Sequence, residues 1–153
     1  MNEQIFYVNQ DYDFFLGLLR EEQPEKTVIA VKNMDKKWEI KELEPHLVFL
    51  LTLENLNILE TKRRIVINEK AKKLDSELKK LNRELINYNN KLCSLRQMNL
   101  KNPNYEVNII INNLEKTILT LEETIAQKTN IYMEVVQDIN FQKRINKVKT
   151  KLF

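Results

Sequence analysis

Residues 67–95 read INEKAKKLDSELKKLNRELINYNNKLCSL, and this stretch decides the fold. A 4-3 alternation of apolar side chains places one apolar edge along a helix, and that edge must pack against another helix. We therefore predict a long helix over these residues that packs along a single seam. The seam positions are Ile67, Ala71, Leu74, Leu78, Leu81, Leu85, Tyr88, Leu92 and Leu95.

A second apolar series follows the segment LKNPN at residues 100–104, whose asparagines and proline are turn signals. Because the connection is so short, the two helices are expected to fold back antiparallel, over about residues 45–99 and 104–151. The second series slips by one residue near its end, and Lys128 is expected to help fix the register. Its members are Val107, Ile111, Leu114, Ile118, Leu121, Ile125, Lys128, Tyr132, Val135, Ile139, Phe141, Ile145, Val148 and Leu152.

A parallel homodimer through residues 67–95 is the alternative geometry. Parallel pairing is usually specified by complementary charges at the positions that flank the seam. Of the four flanking pairs that this register would form, Lys70–Asp75 alone joins opposite charges, and Lys91–Arg96 is repulsive. The sequence therefore favours the hairpin within one chain.

Residues 1–44 are predicted to form a small α+β module before the hairpin. Gln4–Val8 is a plausible strand, and the apolar spacing over about 11–22 favours a helix that Pro24 ends. TVIAVK at 27–32 and KWEIK at 37–41 flank the loop NMDK and indicate a β-hairpin. The predicted fold class is mainly α, with a strand–helix–β-hairpin module at 1–44 and an antiparallel coiled-coil hairpin at 45–153, whose first helix begins at Pro45.

Composition excludes several classes of site. The chain has one glycine, Gly17, so it holds no glycine-rich nucleotide loop. Cys93 and His46 are the sole residues of their types, so an intrachain disulfide and a cysteine–histidine zinc site are excluded. We predict no enzyme activity, no catalytic residues, no metal and no cofactor. With no apolar run long enough to span a bilayer, an intracellular location in cytoplasm or nucleus is expected.

A second apolar stripe flanks the predicted seam near the turn. An exposed stripe of this kind marks a contact surface for another protein or for a second copy of the chain. Burial by the N-terminal module and scattered exposure are the alternatives. The predicted partner interface consists of Ile86, Cys93, Ile109, Ile110, Leu119, Ala126 and Met133.

Basic residues collect at the end of the hairpin away from the turn. Residues 1–46 carry a net charge of −4 and residues 47–153 one of +7. Such a patch could contact nucleic-acid phosphates or an acidic protein, and neutralisation by the acidic module is the alternative. The final segment also has the pattern of a membrane-surface helix. The predicted patch consists of Lys62, Arg63, Arg64, Lys70, Lys72, Lys73, Lys143, Arg144, Lys147, Lys149 and Lys151.

These patterns together favour a non-enzymatic adaptor subunit of an intracellular multiprotein complex, with the hairpin as a docking arm. The expected partners are other proteins that pack helix against helix, with self-association as a variant. A nucleic-acid-associated protein that uses the basic end is the alternative. A chaperone or inhibitor of a single client protein is a weaker one.

Overall fold

The computed structural model describes residues 3–32 and 35–153, and it begins with strands and ends with helices. The first two residues of the predicted loop NMDK lie outside the described residues. The prediction of a mainly α chain with a small β-containing module ahead of the long helices is confirmed. The elements are β1 (Gln4–Val8), β2 (Phe14–Glu22), β3 (Thr27–Lys32), β4 (Trp38–Leu43), a 3-10 turn (Pro45–Leu47), β5 (Val48–Leu50), α1 (Leu53–Lys101), α2 (Tyr105–Gln137) and α3 (Ile139–Leu152).

The five strands form one antiparallel sheet in the order β4-β3-β2-β1-β5. Successive side chains of a strand point to opposite faces. Phe6 and Val8 therefore share one face with their cross-strand partners Leu16 and Phe14. We call this the helix face, because residues of α1 and α3 pack on it.

The opposite face of the sheet has a core of its own. Ile5, Tyr7, Ile29 and Val31 are buried there. Leu43 of β4 and Val48 of β5 pack against the same cluster, although these are the two edge strands. Side chains from both edge strands therefore contact this cluster.

The helix predicted over residues 11–22 is wrong, because this segment contains strand β2. Phe14 pairs with Val8 and Phe15 with Tyr7, so both faces of β2 find partners on β1. The Asn9 side chain accepts hydrogen bonds from the backbone N–H groups of Asp11 and Asp13 at 2.9 and 3.1 Å. It holds the β1–β2 turn, and cross-strand packing overrides the local helical spacing.

The helix predicted to begin at Pro45 begins instead at Leu53. Residues 45–47 form a 3-10 turn, and β5 then pairs with β1. Thr52 Oγ1 accepts a hydrogen bond from the backbone N–H of Asn55 at 3.1 Å, which satisfies a donor of the first helical turn. VFL at 48–50, which was predicted to lie within this helix, is thus an edge strand of the sheet.

The second predicted helix is interrupted at Asp138, which has φ 45° and ψ 42° in the left-handed region. Phe141 and Ile145 of α3, which were expected to continue the second apolar series against the first helix, contact α1 and also the sheet. Both are fully buried against the helix face of the sheet, in one cluster with Leu56 and Leu59 of α1. The one-residue slip in the apolar series coincides with the helix break at Asp138.

Contacts divide the chain into two compact units, and α1 contributes to both. The sheet unit comprises the described residues up to Ile67 together with Asp138–Phe153, and the helical unit is Asn68–Gln137. Compact units are not folding domains, so the predicted domain boundary at residues 44/45 stays a prediction.

In the helical unit, later residues of α1 contact earlier residues of α2. Arg96 donates to Glu115 at 2.7 Å, and Lys128 donates to Glu77 at 3.1 Å. The two helices therefore run antiparallel within this unit. Their buried cluster consists of Leu92, Ile111, Leu114 and Ile118, with Leu85, Tyr88, Leu95 and Val107 packed against it.

Candidate interaction surfaces

Ile86 of α1 and Leu119 of α2 are apolar side chains that lie at the same level of the helical unit. The Glu77–Lys128 ion pair fixes that level. Ile86 lies nine residues after Glu77 in α1. Leu119 lies nine residues before Lys128 in α2, which runs antiparallel to α1. Both side chains are 58% exposed. They form the centre of a surface that we call the helical stripe.

The Arg96–Glu115 ion pair shows that the two residues also lie on one side of the helical unit. Cys93 lies three residues before Arg96, and Ile86 lies seven before Cys93, so all three share one face of α1. Leu119 lies one helical turn after Glu115 and shares its face of α2. Because Arg96 and Glu115 meet across the two helices at 2.7 Å, these faces adjoin.

The rest of the predicted interface is also solvent-exposed. Cys93, Ala126 and Met133 are exposed, and the last two follow Leu119 at seven-residue intervals. Ile109 and Ile110 are exposed near the start of α2. The geometry makes all seven predicted positions accessible, and their contact with a partner stays a prediction.

Sequence reasoning missed three exposed apolar residues beside the turn of the helical unit. Leu100 is 83% exposed, and Met98 and Tyr105 are exposed as well. Leu100 continues the seven-residue series from Ile86 and Cys93, and that spacing was the signal that could have found it. Asn99 donates to the side chain of Asn108 at 2.6 Å, which closes the turn beneath these residues.

Arg63 of the predicted basic patch is held in an internal ion pair. Its guanidinium donates to both carboxylate oxygens of Asp138 at 3.0 and 2.8 Å and to the Asp11 carbonyl oxygen at 2.8 Å. The hydrogen bond with Asp138 raises the pKa of Arg63 above its ordinary value, against the opposing effect of burial. The guanidinium carbon also lies 5.0 Å from the centre of the Phe141 ring. This contact network connects α1, the α2–α3 junction and the β1–β2 turn.

Two more predicted patch residues also have partners within the sheet unit. Arg144 pairs with the Asp13 carboxylate and donates to the Phe14 carbonyl oxygen at 3.1 Å. Lys149 donates to Asn57 at 2.7 Å and to Glu60 at 2.6 Å. Together with Arg63, these residues fasten α3 to the rest of the unit.

The remaining patch residues are exposed side chains that belong to both units. Lys62 lies 5.9 Å from the centre of the Tyr12 ring. The sheet unit also exposes Arg64, Lys143, Lys147 and Lys151, and the helical unit exposes Lys70, Lys72 and Lys73. A function for this set stays a prediction.

The helix face of the sheet is left partly uncovered towards β4. Cross-strand pairing aligns Leu18, Ala30 and Ile40 in one row. The neighbouring row contains Leu16 and Trp38, which are 45% and 56% exposed. Val148, Lys147 and Lys151 of α3 line the concave cleft in which Leu16, Leu18 and Trp38 also lie. We call this surface the strand groove.

Neither His46 nor Cys93 lies in a cluster of potential metal ligands, and no such cluster occurs among residues 3–32 and 35–153. His46 lies 3.3 Å from Glu44, and both side chains are largely exposed. Among the helices in the described ranges, none is long and apolar enough to cross a membrane.

Two surfaces therefore remain as candidate sites: the helical stripe on the helical unit and the strand groove on the sheet unit. Comparison with protein-family models, curated proteins and solved structures found no match to this chain.

Proposed function

We propose that the helical unit is an antiparallel coiled-coil hairpin that docks a helix of another protein, and that the chain is a non-enzymatic adaptor subunit. The observation that carries this proposal is the pair Ile86 and Leu119, two large aliphatic side chains at one level and on one side of two adjoining helices. Contiguous exposed apolar surface is typical of protein interaction sites.

The shape of the helical stripe favours a helix as its occupant. Two adjoining antiparallel helices present a shallow groove between their ridges, and a third helix can pack its own ridge into such a groove. The seven-residue spacing of Leu119, Ala126 and Met133 matches the repeat of an amphipathic helix that would lie along it.

The proposal predicts a contact that depends on Ile86 and Leu119. A photo-crosslinking amino acid at exposed Ala126, introduced into the full chain in its native cell, should crosslink to one amphipathic helical segment of one protein. Mass spectrometry of the crosslinked peptide identifies that segment. In the double variant Ile86→Glu, Leu119→Glu the crosslink should be lost, and the purified partner should bind about 30-fold more weakly or worse, as expected for a central apolar contact.

The matched control places the same two charges elsewhere on the same helices. Asn90→Glu with Asn113→Glu changes two exposed polar residues, and this variant should keep both the crosslink and the affinity. Circular dichroism of both variants should match that of the parent chain. A crosslink that survives the stripe variant rejects the proposal. Crosslinks between two copies of this chain reject a heterologous partner and assign the stripe to self-association.

Nucleic-acid binding is the alternative proposal, and the lysines of α3 support it. Lys143, Lys147 and Lys151 are exposed, and α3 contains no acidic residue. The ion pairs of Arg63, Arg144 and Lys149 leave fewer cations for phosphates than the sequence suggested. The adaptor proposal is therefore the stronger of the two.

A further inference from the structure

The strand groove has an apolar floor made by three strands of the sheet. Leu18, Ala30 and Ile40 follow one another across β2, β3 and β4, and Ile40 is 66% exposed. The floor is continuous with the core of the sheet unit, because Leu16 pairs with buried Phe6. Helices α1 and α3 cover the Phe6 end of this face and leave the β4 end open.

Basic side chains dominate the lining of the groove. On the helix face the cleft is lined by Lys32, Arg144, Lys147 and Lys151. Glu39 and Lys41 alternate with Trp38 and Ile40 along β4, so their side chains belong to the opposite face. Arg144 is paired with Asp13, whereas Lys147 and Lys151 are exposed on α3. Lys32 lies 5.7 Å from the centre of the Trp38 ring, so a cation also stands beside the largest aromatic side chain of the groove. The resulting field favours a negatively charged occupant.

We propose that the strand groove binds an acidic amphipathic peptide segment of a partner protein. The large apolar side chains of the segment would pack on Leu16, Trp38 and Ile40, while its carboxylates would face Lys147 and Lys151. Charge complementarity of this kind increases the association rate and the specificity of a protein contact. A cleft bounded by α3 and the strands also fits a peptide better than the flat surface of a bilayer. This proposal concerns the sheet unit and does not depend on the helical stripe.

The test uses the full chain and a displayed library of random 16-residue peptides. Selected peptides should be enriched in Asp and Glu and should carry two or three large apolar residues. One selected peptide, labelled with fluorescein, should bind at least tenfold more weakly to Trp38→Ser and to the double variant Lys147→Glu, Lys151→Glu. Its dissociation constant should also rise as the salt concentration is raised from 50 to 300 mM, because salt screens exposed charges.

The control is Lys72→Glu with Lys73→Glu, which makes the same change in charge on the helical unit and should leave peptide affinity unchanged. Thermal melting of each variant separates lost binding from lost folding. Selection of no peptide, selection without acidic bias, or equal binding to parent and groove variants overturns the proposal. So does binding to phosphatidylcholine–phosphatidylserine vesicles that requires Trp38 when no peptide binds, because a membrane is then the occupant.

Discussion

Replacement of Phe141 by alanine is expected to lower the free energy of unfolding of the sheet unit by about 4 kcal/mol, in the range for large-to-small changes of a buried aromatic residue. Phe141 is 1% exposed, and its ring meets that of Phe14 edge-to-face with centroids 5.7 Å apart. The change removes this contact and leaves a cavity between α3 and the sheet. The loss should appear as a lower midpoint of urea unfolding, followed by fluorescence of Trp38, the single tryptophan.

Phe153→Ala is the matched control, because this phenylalanine also belongs to the sheet unit but is exposed. Its effect should stay within about 0.5 kcal/mol, as for most surface substitutions. If Phe141 lay on a solvent-exposed or loosely packed helix, the two variants would unfold at similar urea concentrations. That result would contradict the placement of α3 in the sheet core.

Removal of the Arg63 side chain has the second-largest expected effect. Arg63→Ala should lower the free energy of unfolding by about 3 kcal/mol, because it leaves the mostly buried Asp138 carboxylate without its cation. It also removes the hydrogen bond to the Asp11 carbonyl oxygen and the contact with the Phe141 ring. Urea unfolding followed by Trp38 fluorescence measures this loss as well.

Arg64 supplies the control for Arg63, since it is the adjacent residue of α1 and is exposed. Arg64→Ala should change the free energy of unfolding by less than about 0.5 kcal/mol.

A second comparison isolates the contribution of the charge. In the double variant Arg63→Met, Asp138→Asn the loss of stability should be smaller than the sum of the losses in the two single variants, because no unpaired charge remains. Asn is chosen at position 138 because it tolerates the left-handed backbone. Strict additivity of the two changes would show that the ion pair contributes nothing.

The sequence predicted the helices well where their signal repeats many times. The 4-3 spacing over residues 67–95 extends over four heptads, and α1 covers all of it. Seam residues Leu85 and Leu92 lie in or against the buried cluster of the helical unit, together with Ile111 and Ile118 of the second series. A pattern of this length is difficult for tertiary contacts to override.

The short N-terminal segments were harder to predict because their partners are distant in sequence. Phe14, Leu18 and Leu19 have helical spacing, but the pairing of β2 with β1 and β3 decides their conformation. VFL at 48–50 similarly becomes a strand because β1 offers an unpaired edge. At the helix break, the carboxylate of Asp138 pairs with Arg63, which lies 75 residues earlier. Local sequence carries little information about such contacts.

The same difference between local patterns and distant contacts decides which candidate surfaces could be predicted from the sequence. The helical stripe could be predicted because exposure on a helix follows from a heptad position. The strand groove was missed, since it requires residues of β2, β3, β4 and α3 to meet, and β2 was predicted as a helix. The basic patch was predicted residue by residue, but its internal ion pairs, such as Lys149 with Glu60, depend on three-dimensional packing.

The segment Asn68–Gln137 is bracketed by two stretches whose residues share one core, as Leu56 and Ile145 show. In sequence it is therefore an insertion into the sheet unit. Deleting or adding seven residues in each helix preserves the helical phase, because seven residues make about two turns. Such a change leaves the side chains of the shared core untouched, so we expect the sheet unit to keep its stability when the length of the helical unit is changed.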